Sequence, residues 1–146
     1  MYNNLRNSLI LLARAGIGIV FLAHGWQKFF TNGIAATQRG FESMGAPLPD
    51  ISAIAAALIE LAGGAGLILG AITPVWAILL FADMVGAYLI THIGNGMFVS
   101  AGGAELVIGL GAGALLLLAT GAGRFSLDGL LGDRVPWNRN VSPLPV

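Results

Sequence analysis

The chain has 146 residues, 56% hydrophobic and 10% charged, with 7 basic side chains against 7 acidic ones and a mean hydropathy of +0.83. Soluble domains carry about 25% charged residues, and a balanced charge without any Lys/Arg run removes the electrostatic basis for a nucleic-acid partner. The absence of cysteine excludes disulfides, thiolate metal sites, cysteine nucleophiles and covalently attached c-type haem.

The length predicts one domain, residues 1–146, and the apolar stretches predict four membrane spans within it, each about 20 residues long. The first runs over about 8–30 and ends at Trp26 and Lys28, residue types that suit the headgroup level. Arg6 ahead of an apolar run resembles a signal peptide, but the hydrophobicity continues well past Arg14, so the stretch reads as a retained span. The segment from Thr31 to Asp50 then forms the main loop, with Phe41, Met44 and Leu48 placed to rest on the membrane surface. The second span covers about 51–72, after Pro47 and Pro49, and the third covers about 74–92, opening on Pro74. So little chain separates those two spans that they must form a tight antiparallel hairpin. The fourth covers about 101–121, followed by a tail over 122–146 whose part from Gly123, with Trp137 and three prolines, reads as extended.

The expectation is therefore an all-α, polytopic membrane protein: a four-transmembrane-helix up-down bundle. Arg6, Arg124, Arg134 and Arg139 lie on the side of the termini and Lys28 and Arg39 opposite, which places both termini in the cytoplasm. Gly66 and Gly70, and Gly109 and Gly113, have GxxxG spacing, read as packing within the chain ahead of a dimer face. The glycines around Leu110 lack the strand-to-helix context of a phosphate loop.

Ionisable groups inside a bilayer are costly, and each is a functional candidate. Here they are Arg14, His24, Glu60, Asp83, His92 and Glu105, with Lys28 beside them. At 1.5 Å rise per residue, Arg14 lies about 9 Å from the cytoplasmic edge, Asp83 about 14 Å and Glu60 about 16 Å. Arg14 is expected to pair with Asp83 or Glu60. Glu60 shares a small-residue stripe with Ala53, Ala56, Ala57, Gly63 and Gly64, so it either packs against a neighbouring backbone or faces a cavity. The other three lie beyond about 24 Å, near the outer surface, along with Gln27, Lys28 and Asn95. Two histidines and a carboxylate resemble a metal ligand set, but they come from three different spans with no local motif, so no metal is assigned. Axial haem ligation by His24 and His92 meets a similar objection, because Asp83 and His92 fall on opposite faces of a regular helix.

The chain resembles the DoxX family of small four-span bacterial membrane proteins from about Leu9 to Leu131. The resemblance rests on the run Phe21-Leu22-Ala23-His24-Gly25-Trp26-Gln27-Lys28-Phe29-Phe30, on Phe41 to Pro49 with its Gly-x-Pro-x-Pro ending, and on Ile59-Glu60-Leu61-Ala62-Gly63-Gly64. It continues in His92 to Phe98, in Gly102-Gly103-Ala104-Glu105-Leu106 and in Gly121 to Asp128. It implies a four-helix bundle in the bacterial cytoplasmic (inner) membrane and an association with quinone-linked oxidoreduction; His24, Glu60 and Glu105 are its family-like polar positions.

Two functions are expected on these grounds. One is a membrane subunit that binds a quinone or similar lipophilic redox molecule for a partner oxidoreductase, with His24, Lys28, Glu60 and Glu105 suited to the quinone and Arg14 and Asp83 tuning the pocket. The other is an accessory or scaffold subunit of a larger membrane complex. Expected partners are the lipid bilayer and other membrane subunits or a second copy; quinone is the candidate cofactor.

Overall fold

Residues 2–138 are described in the computed structural model, and among them there is no strand. Helix α1 (Tyr2–Trp26) continues through a π-helical turn, Gln27–Thr31. The short α2 (Ile34–Ser43) leads into α3 (Pro49–Leu69), whose partner α4 (Thr73–Ala87) ends in a second π-helical turn, Tyr88–His92. Helix α5 (Glu105–Thr120) precedes the short α6 (Leu127–Leu131). The chain is an all-α, polytopic membrane bundle in which α3, and α1 and α4 each together with its π turn, are long and apolar enough to cross a bilayer, and α5 is a shorter apolar helix.

Proline starts both α3 and α4 near their first residue, where the missing N–H is no loss. The turn between them is only Gly70 to Ile72, so the hairpin is tight as expected. Gly70 closes α3 in the left-handed region at φ 67°, and Ile72 follows at φ 53°, a conformation that is strained for a β-branched side chain.

The closest helix contact is α1 against α3. A Cβ at Gly25 would strike the backbone of Leu61, and one at Gly64 would strike Leu22 and Gly18. Glycine at these points lets two backbones approach in a medium that provides no hydrophobic drive between helices. The expected GxxxG pairs do not work as pairs: Gly66 makes room for the Trp76 indole and Gly70 terminates its helix, while Gly113 meets Ile17 and Gly109 faces open space. Glycine spacing within one helix does not specify which faces meet.

The tail is folded where it is described. Leu127–Leu131 is helical, followed by 3-10 turns at Gly132–Arg134 and Pro136–Asn138, which corrects the extended reading; Arg139 and the last two prolines lie outside the described residues. The main loop is also structured: α2 packs against α3, Ala46 is buried, and Met44 and Leu48 remain exposed.

Candidate functional site

The small-residue stripe of α3 is buried along its length, Ala53, Ala56, Ala57, Glu60, Gly63 and Gly64 included. The stripe meets α1 through Gly64 and α4 through Gly63, which lies against Leu80. Glu60 is thus held between helices and is only 4% exposed. Counting from the start of each helix, Glu60 lies about 16 Å along α3 and Asp83 about 15 Å along the antiparallel α4, which puts both near mid-height in the bundle.

Lys28 pairs with Glu60 at 2.5 Å, its side chain 21% exposed against 5% for the glutamate. The sequence placed Lys28 in an outer layer with His24, but the α-to-π switch at Gln27 inserts an extra residue into the turn and re-aims the side chains beyond it. The long, flexible stem carries the ammonium inward to the carboxylate. Helix α2 fixes this turn from outside, because the buried Thr37 hydroxyl donates to the Lys28 carbonyl at 2.8 Å. Asp83, half-buried on α4, is within electrostatic reach of both Glu60 and Lys28. One ammonium therefore pairs with one carboxylate, and a second carboxyl group lies within electrostatic range.

Arg14 belongs to a different site. The expected pairing with Asp83 or Glu60 is replaced by a hydrogen bond from Nη2 to the Phe125 carbonyl at 2.7 Å, with Asp128 supplying the nearby negative charge. Arg14 is fully buried, and Gly70 leaves it room, since a Cβ there would overlap Nη1. Asp128 accepts from the backbone N–H groups of Ile72 and Thr73 at 2.8 and 2.9 Å and donates its own N–H to the Gly70 carbonyl at 2.9 Å. It thereby caps the start of α4 from 55 residues away. Ser126 is the local signal, an N-cap whose Oγ accepts from Gly129 N–H at 2.9 Å; the long-range cap leaves no trace in the sequence.

His92 and Glu105 organise the loop between α4 and α5. Because a carbonyl only accepts, His92 Nδ1–H donates to Gly102 at 2.7 Å. Glu105 Oε1 accepts from Val99 N–H at 2.7 Å, while its own N–H donates to Met97 at 2.8 Å. Internal satisfaction of this kind is what irregular backbone at a membrane boundary needs. His24 is half-buried on α1, and among the described residues no three of His, Asp and Glu are grouped to hold a metal.

The DoxX family model matches residues 9–93. "Uncharacterized membrane protein Rv3486" of Mycobacterium tuberculosis is 32% identical over 86% of this chain and 82% of the relative. "Inner membrane protein YphA" of Escherichia coli is 30% identical over 84% and 90%. "Putative oxidoreductase CatD" of Bacillus subtilis is 37% identical over 54% and 56%. No solved structure matches the chain.

Proposed function

The chain belongs to the DoxX family, and from that premise we propose that it binds a quinone or similar lipophilic redox molecule for a partner oxidoreductase. In this reading it is a multi-pass protein of the bacterial inner membrane with both termini in the cytoplasm. The observation that carries the reading is the Lys28–Glu60 pair with Asp83 beside it: a side-chain cluster at mid-height, with one more carboxyl than its ammonium can balance. Lys28 offers N–H donors for a carbonyl oxygen. Glu60 and Asp83 add carboxyl groups, the group type suited to passing a proton to a reduced quinone. When bound, a quinone supplies the electron acceptor that these side chains do not. The oxidoreductase name printed for the Bacillus subtilis relative agrees with redox chemistry.

Extraction in mild detergent followed by mass spectrometry of everything retained tests this first; a redox subunit together with quinone is the expected result. Glu60→Gln and Asp83→Asn should then lower quinone reduction by the reconstituted complex while the complex still assembles. Unchanged turnover in both variants would overturn the reading. A change in assembly alone would point to the accessory-subunit alternative.

A further inference from the structure

Helices α1 and α5 touch at Ile17 and Gly113 and leave a groove of about 380 Å³ from there toward the end of the bundle where α1 begins. Leu5, Leu9 and Ala13 form one wall and Leu116 and Leu117 the other. The Thr120 hydroxyl at the rim is turned back onto the Leu116 carbonyl at 2.8 Å, so the walls offer little but hydrocarbon. From Ile17 to Arg6, also a lining residue, the groove extends about 16 Å along α1, close to half of a roughly 30 Å hydrocarbon core. Its depth is that of one leaflet.

The mouth is basic. Arg6 is exposed, as is Arg124, and the next residue on α1, Asn7, accepts from Arg124 N–H at 2.9 Å. Gly123 packs on Ile10 just below. The turn carrying Arg124 is thus fastened to the turn of α1 that carries Arg6. Asp128 at this end is buried and directed at the α4 backbone. The site therefore has two zones, a one-leaflet apolar channel and a mouth lined by Arg6, with Arg124 on the adjoining turn.

We propose that this groove binds an anionic phospholipid, with an acyl chain along α1 and α5 and the phosphate between Arg6 and Arg124. Guanidinium groups match a phosphate in geometry and charge, and basic sites between membrane helices favour anionic headgroups. A neutral quinone head carries no negative charge to balance two cations. A second copy related by a two-fold axis would bring four of them together.

The test uses the purified full chain, delipidated in detergent and offered equal amounts of phosphatidylglycerol and phosphatidylcholine, with bound lipid counted by native mass spectrometry. Phosphatidylglycerol should be retained over phosphatidylcholine by about tenfold. In the double variant Arg6→Gln with Arg124→Gln, that preference should fall to near parity. Ala13→Trp, which fills the groove from an exposed position, should reduce retention of both lipids. Equal binding of the two lipids by the unaltered protein overturns the proposal, as does a preference that survives the double variant. Retention unaffected by Ala13→Trp also overturns it, and so does recovery of a dimer in place of the lipid-bound chain. The unaltered protein's own selectivity decides the question even if a variant misfolds.

Discussion

Two cations within the helices organise this bundle in opposite ways. Arg14 is fully enclosed and bonds to a backbone carbonyl, while its neighbouring carboxylate, Asp128, holds two backbone N–H groups. Lys28 is partly accessible and meets a carboxylate side chain. At the first site the charges fasten chain segments, so changing one disturbs backbone held on three sides. At the second, the two side chains hold each other, and far less of the backbone depends on them. The comparison separates charges that build the bundle from charges that are free to work.

The largest expected effect tests the structural half. Asp128→Ala strands the N–H groups of Ile72 and Thr73 and leaves Arg14 without its nearby charge, so it should destabilise by about 3–5 kcal/mol, read as a lower thermal midpoint in detergent. A smaller loss, about 2 kcal/mol, is expected from Glu60→Ala, which removes the bonded partner of Lys28 and leaves only Asp83 near its ammonium. Here the sites should part company. The double change Lys28→Met with Glu60→Leu should recover most of that stability, because well-packed apolar replacements of buried ion pairs are often neutral, yet it should abolish quinone-linked turnover. Recovery of turnover as well would make the pair structural like Arg14. Gly25→Ala, which drives a methyl into the Leu61 backbone, should cost about 2 kcal/mol and lower activity only as far as it lowers folded protein. The smallest effect is Glu105→Gln, about 1 kcal/mol, detected as faster proteolysis of the loop from Ile93 to Ala104, with quinone turnover unchanged.

Much of the fold was legible because apolar length is a strong signal: three of the four stretches are helices of crossing length, and proline marked the starts of α3 and α4. The buried face of α3 was also readable from its alanines and glycines. The charge partners were not. Assigning depth by rise per residue treats side chains as points on a regular helix. Lys28 violates that twice, through a π turn and through a stem long enough to reach another level. Arg14 was assigned the wrong partner because its real ones, Phe125 and Asp128, come from a tail that composition described as extended. His92 and Glu105 were candidates because they are ionisable, and the geometry places both in the hydrogen bonding of a loop.

The height of the bundle is uneven around its circumference. Helix α3, at 21 residues, rises about 32 Å, whereas α5, at 16, rises about 24 Å. The loop ahead of α5 makes up the difference with exposed Ile93, Met97, Phe98 and Val99, the phenylalanine 68% exposed. A membrane meeting this surface must thin on one flank or receive the loop as apolar anchorage. Each ångström of mismatch is worth a fraction of a kcal/mol, so acyl-chain length becomes a mechanical variable for this protein. Thin bilayers would suit the α5 flank and thick ones would draw the loop inward, which couples lipid thickness to the segment that His92 and Glu105 hold in shape.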